Sequence, residues 1–211
     1  MEKICVDIEN IKISEIKHIS EIIQHGGVVV LPTDTVYGLV CRADYPHSIN
    51  RIYQIKQREK NKPLPIFVHG MEQVNQIVDC VPGTAKQLIN NFWPGALTII
   101  FPCHNPNYHE VTCHTGKIGL RMPNSKFVLQ LLKDLNIPLA STSANLSSRQ
   151  SAQSAEEIEQ ELGERIDLLV DSGKLGSGIA STVVDSTVSP IKILRSGEIT
   201  REQVQKVIQT Y

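Results

Sequence analysis

An excess of either charge, a pair of cysteines at metal or redox spacing and a long apolar run are all missing from this 211-residue sequence, and each absence removes a class of function. Lys plus Arg (21) and Asp plus Glu (22) cancel to a formal charge of -1, so the chain as a whole has no electrostatic preference for nucleic acid or acidic membranes. Any anion site has to be local. The five cysteines, Cys5, Cys41, Cys80, Cys103 and Cys113, form no CxxC pair, as expected of a reducing compartment rather than a disulfide scaffold. No segment approaches the length of a membrane span. The N-terminus, with Glu2, Lys3 and Asp7 around short apolar stretches, lacks the apolar region of a signal peptide, so the expected location is the cytoplasm. Nucleotide fingerprints are missing too: GxxxxGK[ST] does not occur and residues 173–178 do not match GxGxxG in a strand-to-helix context, so any ATP would bind without a P-loop. Neither a repeat nor an interdomain linker is visible, and 41% hydrophobic residues suffice for one core, which makes 1–211 a single domain by expectation.

What is present is an alternation of helical and extended patterns. Ile11, Ile16, Ile19, Ile22 and Ile23 recur at helical spacing over 11–24, with Ser14 as candidate N-cap and Gly26-Gly27 as the stop. The β-branched run 28–31, halted by Pro32, predicts a buried strand that delivers Thr33, Asp34 and Thr35 to its end. Over 48–57, Ile49, Ile52, Tyr53 and Lys56 share one helical side. Further strands are expected at 64–68, 97–101, 118–122, 138–140, 168–170, 181–185 and 191–194, and further helices at 72–78, 84–92, 126–135, 155–162 and 201–208. The pattern is that of an α/β fold.

Several clusters carry polar chemistry among apolar residues. Thr33, Asp34, Thr35 and Tyr37 sit together in PTDTVYGL at 32–39, either gripping a small polar ligand or capping a strand-to-helix turn. Lys56, Arg58, Lys60 and Lys62 have the charge and reach for a polyphosphate, or form a solvated basic helix end. Arg121, inside the apolar strand GLRMP at 119–123, needs an anion, which is a ligand carboxylate or an ion-pair partner. Ser141-Thr142-Ser143-Ala144-Asn145 is a binding loop or a helix N-cap; with no GxSxG elbow around its serines, nucleophilic catalysis is the weaker option. Residues 177–185, from Ser177 through Ser181 to Asp185, and Arg195-Ser196-Gly197 have the look of ligand-facing or plain surface turns. Cys103, His104, His109, Cys113 and His114 gather soft ligands, yet lack a CxxC or HxxxH knuckle, so an exposed loop is preferred to a metal site.

In this order, PTDTVYGL (32–39), KxRxxxKPL (56–64), WPGALT (93–98), GLRMP (119–123), STSAN (141–145) and STVVD (181–185) resemble the threonylcarbamoyl-AMP synthase family, the YrdC-like proteins. The resemblance implies a twisted mixed parallel/antiparallel sheet flanked by helices, similar to dihydroxybutanone-phosphate synthase, with a large concave cavity. It implies an L-threonylcarbamoyladenylate synthase, a nucleotidyltransferase that joins L-threonine, bicarbonate and ATP, with Mg²⁺ accompanying ATP, for threonylcarbamoyl modification of tRNA. By position in the motifs, Thr33, Tyr37, Arg121, Ser141 and Ser181 would contact threonine. Lys56, Arg58, Lys62, Ser143, Asn145, Ser151 and Arg195 would address ATP, with Lys56 and Arg58 catalytic through charge neutralisation. The chain ends soon after Arg195, as in the short, single-domain type whose product passes to a separate tRNA-modifying transferase complex. Departures are Glu59, Ser148, Lys117 and Phe67, the last where some members contact threonine through histidine; none is assigned to the site. The competing readings are an RNA-binding YrdC-like module and a divergent paralogue with another carbamoyl-adenylate activity. A broad Lys/Arg stripe would mark the former, whereas the basic residues here concentrate at 56–62.

Overall fold

A computed structural model describes residues 1–152, 154–173, 175 and 178–209. In chain order it contains β1 (Glu2–Cys5), α1 (Ile13–Gln24), β2 (Val29–Leu31), β3 (Gly38–Arg42), α2 (Pro46–Lys56), β4 (Ile66–Phe67), α3 (Met71–Ile77), α4 (Gly83–Phe92), β5 (Leu97–Pro102), α5 (His109–Thr112) and β6 (Lys117–Arg121). There follow α6 (Lys126–Leu135), β7 (Leu139–Ser143), α7 (Ala155–Leu162), β8 (Leu168–Asp171), β9 (Thr182–Asp185), β10 (Lys192–Arg195) and α8 (Arg201–Gln209). All ten strands form one sheet in the order β1-β8-β2-β3-β7-β4-β6-β5-β9-β10. Pairs β1·β8, β2·β8, β4·β6 and β5·β9 are parallel, and β2·β3, β3·β7, β4·β7, β5·β6 and β9·β10 antiparallel, so the sheet is mixed as the resemblance implies. No helix among the described residues is long and apolar enough to cross a membrane.

Strand periodicity sorts the core into two layers. Val28, Val30, Leu39, Cys41, Leu97, Ile99, Phe101, Ile118, Leu120 and Ala140 belong to one buried cluster, shared with residues of α2, α3, α4, α7 and α8. Their alternates Val29, Leu31, Val40, Phe67 and Leu139 face the other way, against the apolar sides of α1 and α6. The central strands are therefore apolar on both sides, as buried strands are. Helix α6 starts where the Ser125 hydroxyl accepts from Val128 N (3.3 Å) and stops at Asn136, left-handed at φ 49°.

The second face is only half covered. Helices α1 and α6 pack on each other over the β8–β2–β3–β7 side. Beyond β7, the same face carries Thr98, Gly119, Arg121 and Ser141, the alternates of Leu97, Leu120 and Ala140, in place of large apolar side chains. A bare, polar stretch of sheet thus lies beside a covered, apolar one.

Some local expectations change. Ser14 lies inside α1 rather than capping it; Lys12 is the N-cap residue, and its N–H donates to the Glu15 carboxylate (3.3 Å). Residues 32–37 do not lead into a helix but turn β2 back onto β3, with Leu31 opposite Gly38. Ser141, Thr142 and Ser143 are not a loop or helix cap: they are the end of β7, paired with Val40, Leu39 and Gly38, while Ser154 caps α7 by accepting from Glu157 N (3.4 Å).

Candidate functional site

The uncovered sheet face forms the floor of a polar cleft, open at its mouth, with an interior volume of about 130 Å³. Thr98, Arg121, Ser141, Thr142 and Ser143 come from the strands, and Thr33, Thr35, Val36 and Gly38 from the β2–β3 turn. Arg58, Pro65, Phe67, Ala180, Ser181 and Arg195 close the sides. Gly38 is needed at the floor because a Cβ there would sit 3.3 Å from Thr33 Cγ2 and 3.5 Å from Ser141 Oγ, filling the ground between them.

The turn is held by its own hydroxyls. Thr33 Oγ1 donates to Val36 O (2.6 Å) and accepts from Thr35 N (3.2 Å), an arrangement that leaves both threonines buried yet bordering the cleft. Ser141 Oγ makes no hydrogen bond among the described residues. The Ser181 hydroxyl lies 2.9 Å from Thr98 Oγ1 and accepts from Arg195 Nη2 (3.0 Å).

Arg121 is fixed on every side. Its Nε donates to Gly95 O (2.9 Å), Nη1 to Thr35 Oγ1 (3.0 Å) and Nη2 to Asp34 Oδ1 (2.7 Å), and the Phe67 ring lies 5.8 Å from the guanidinium carbon. The two readings of a cation in this strand therefore coincide, since Arg121 has an ion-pair partner and also borders the cleft. Burial pulls its pKa below the ordinary guanidinium value, an effect opposed by Asp34. Arg195 sits on the edge strand β10 and also borders the cleft, its Nε on Ser181 O (3.0 Å). Partial desolvation first, then the positive charges of Arg121 and Arg58, press its pKa down as well. The chain reaches this position because Gly197 crosses Ala180–Thr182 so closely that a Cβ would lie 2.2 Å from Ala180 O. Arg58 completes the trio, anchored by Nε to Lys62 O (3.2 Å) and Nη2 to Pro63 O (3.1 Å).

Other expected site residues stand outside the cleft wall. Tyr37 is turned to the opposite sheet face by alternation with Val36 and Gly38; its hydroxyl donates to Gly173 O (2.7 Å) and accepts from Ser172 N (3.2 Å), so it anchors the loop after β8. Lys56, 2% exposed on the apolar side of α2, places its ammonium on Ser143 O and Asn145 O, both at 2.6 Å. Burial, and then the nearby Arg58 charge, push its pKa down to about 8. The Asn145 side chain donates to Leu146 O (2.7 Å) and Arg149 O (2.9 Å), bracing the 146–149 turn. Lys62 is exposed and pairs with Glu59 (3.4 Å), Lys60 donates to Asn50 Oδ1 (2.7 Å), and Ser151 lies half-buried beyond the turn. Ser177 lies outside the described residues. Sequence reasoning weighed Thr35 within the 32–39 cluster without giving it a role of its own, left Phe67 unassigned, and passed over Thr98 and Gly95; the period-two alternation around Arg121 and Ser141 was the signal that could have placed Thr98 and Phe67 on the same face.

Of the cysteine and histidine group, Cys103, His104, His109 and His114 border one surface pocket, with the His109 and His114 rings 5.1 Å apart. Cys103 is buried with its thiol on Ile77 O (3.3 Å), His104 pairs with Asp79, and Cys113 Sγ lies 3.2 Å from the Tyr53 hydroxyl. Among the described residues no three His, Cys, Asp or Glu side chains converge as a metal site.

With this geometry in hand, comparison with known proteins is decisive. The Sua5/YciO/YrdC family model, whose description reads telomere recombination, matches residues 21–197. This chain belongs to the Sua5/YciO/YrdC family. A Bacillus subtilis relative named threonylcarbamoyl-AMP synthase is 35% identical over 92% of the chain and 56% of its own length. The solved Pyrococcus abyssi Sua5 complexed with L-threonine superposes with a TM-score of 0.94 at 32% identity, covering 99% of this chain and 61% of that one. Escherichia coli YciO superposes at 0.83 with 28% identity, over 93% of this chain and 95% of that one. The chain spans a little over half the length of the curated relatives from Bacillus subtilis (56%) and Pyrococcus abyssi (59%). What it shares with other Sua5/YciO/YrdC proteins is the sheet that carries the cleft.

Proposed function

We propose that this chain is an L-threonylcarbamoyladenylate synthase, which converts L-threonine, bicarbonate and MgATP to threonylcarbamoyl-AMP and pyrophosphate. The observation that carries the reading is the gathering of Arg58, Arg121 and Arg195 over one bare stretch of sheet lined with hydroxyls. The names of the relatives from Bacillus subtilis and Pyrococcus abyssi, and the threonine bound to the Pyrococcus protein, support the choice of substrates.

The chemistry suits such a site. The threonine amine combines with bicarbonate to give a carbamate and water. A carbamate oxygen then attacks the α-phosphorus, the bond to the bridging oxygen breaks, and pyrophosphate leaves. No protein nucleophile is required, so the protein's task is to hold two anionic reactants in line and to balance their charge. A guanidinium has five N–H donors, and the partners of Arg121 use three, which leaves two for a carboxylate held bidentately. Thr33, Ser141 and Ser181 offer hydroxyls to the rest of the amino acid. Arg58 and Arg195 face the phosphates, joined by Ser143; Mg²⁺ enters with ATP as part of the substrate.

Lys56 is given a changed role. Two of its three N–H groups hold Ser143 O and Asn145 O at the end of β7, and its charge, next to the Ser143 that lines the cleft, adds to the positive field offered to the nucleotide. Asn145 acts with it as a brace of the same turn, and Tyr37 supports the far side of the sheet. The adenylate product passes to a separate tRNA-modifying transferase in the cytoplasm. The test is release of pyrophosphate by the purified chain with MgATP: turnover is expected only when threonine and bicarbonate are both supplied, and threonine-independent turnover refutes the assignment.

A further inference from the structure

The three arginines of the cleft differ in what neutralises them. Arg121 and Asp34 form an ion pair of 2.7 Å with side chains only 5% and 11% exposed. Asp34 has no freedom to leave: its second oxygen accepts from Asn124 N (2.9 Å), while Thr35 and Gly95 hold Arg121 from the other directions. Glu198 adds a weaker negative influence on the same guanidinium. Arg58 and Arg195, in contrast, donate to oxygens that carry no formal charge, the carbonyls of Lys62, Pro63 and Ser181 and the Ser181 hydroxyl. Arg121 is thus charge-compensated by a carboxylate, whereas Arg58 and Arg195 are held by uncharged oxygens.

We infer that Asp34 sorts the two substrates, reserving Arg121 for the single carboxylate of the amino acid and sending the polyphosphate to Arg58 and Arg195. The inference rests on the substrates given under Proposed function. A single carboxylate gains from two directed N–H bonds even where the net charge is nil. A polyphosphate gains chiefly from net positive charge, and at Arg121 it would face the Asp34 carboxylate across a partly dry site, where like charges repel strongly. Discrimination of this kind depends on the repulsive element as much as on the attractive one. Asp34 does not border the cleft, so it is a positioning and specificity residue that acts through Arg121.

The test is equilibrium titration calorimetry on the full chain with L-threonine and with inorganic tripolyphosphate, each alone and each in the presence of the other. The wild type is expected to bind both together, neither displacing the other. Asp34→Asn is expected to bind tripolyphosphate on the order of tenfold more tightly, the scale of one unmasked charge in a partly buried site, and to let it displace threonine. Tripolyphosphate affinity and threonine binding both unchanged in Asp34→Asn overturn the inference. The double variant Asp34→Asn with Arg121→Gln restores neutrality, so its tripolyphosphate affinity should return to the wild-type value; a gain persisting there also overturns it, and this arm stands if the single variant fails to fold. Because the tripolyphosphate measurement needs no threonine, a wild type that ignores threonine overturns the substrate assignment, while the response of Asp34→Asn to tripolyphosphate still decides the sorting.

Discussion

Raising the pH should loosen nucleotide binding while strengthening the fold, and both effects trace to Lys56. Its ammonium is buried against Ser143 O and Asn145 O, with a pKa pushed down to about 8. The unfolded chain keeps that proton to about 10.5, so between these values the unfolded state binds more protons and stability rises with pH; below 8 the cost of the buried charge is fully present. That cost is roughly 3 kcal/mol. Lys56→Met removes that cost but leaves Ser143 O and Asn145 O without their partner, at about 1–3 kcal/mol each, so the two effects largely cancel and the fold should lose no more than about 3 kcal/mol. Function should respond differently. Above pH 8 the ammonium loses its charge and its third donor, and MgATP affinity should fall about tenfold per pH unit. The assay is MgATP titration calorimetry from pH 7 to 9.5, alongside urea unfolding over the same range. A flat MgATP affinity across that range, or the same slope in Lys56→Met, refutes the assignment of this lysine.

Arg121→Ala should remove measurable threonine binding in calorimetry and, by leaving Asp34 buried without its partner, cost about 3–5 kcal/mol in denaturant unfolding. Tyr37→Phe should leave threonine affinity within twofold of wild type by about the same calorimetric standard, while lowering stability by about 1–3 kcal/mol because Gly173 O and Ser172 N lose their partner. Gly197→Ala should raise the KM for ATP more than that for threonine, since a Cβ cannot fit 2.2 Å from Ala180 O and Arg195 must shift; equal changes in both constants would argue against Arg195 as a phosphate-binding cation.

The apolar strands were legible wherever β-branched runs were bounded by breakers, as at β2 and β5. The helix carrying Lys56 was legible as well, down to the side that it shares with Ile49, Ile52 and Tyr53, which is why the lysine is buried. Two strands escaped. β1 is an edge strand that opens on Glu2 and Lys3, and the apolar run of β3, Leu39-Val40-Cys41, is short and lies between a glycine and an arginine; both exist because neighbouring strands supply their hydrogen bonds. The hydroxyl-rich end of β7 read as a loop for the same reason, since small polar residues carry weak strand preference and pairing with β3 decides the matter. At the site, composition identified the cations but not their environments. Whether a charge meets a carboxylate, a carbonyl or water depends on strand register, and the ion pair between Asp34 and Arg121 joins residues far apart in the chain.

Two cations of the cleft also differ in how firmly the sheet holds them. Arg121 belongs to β6, flanked on both sides by β4 and β5, whereas Arg195 belongs to β10, an edge strand with β9 as its single neighbour and an irregular register between Ile193 and Arg195. Opening β10 breaks one short ladder and exposes little new apolar surface, because Lys192, Leu194 and Arg195 are already exposed. Amide hydrogens of β10 should therefore exchange through local opening long before those of β6, which require much of the sheet to separate. On the proposed reading, the cation assigned to the phosphates therefore rides on the strand that opens most easily, and the guanidinium assigned to the amino acid on one that the sheet holds from both sides.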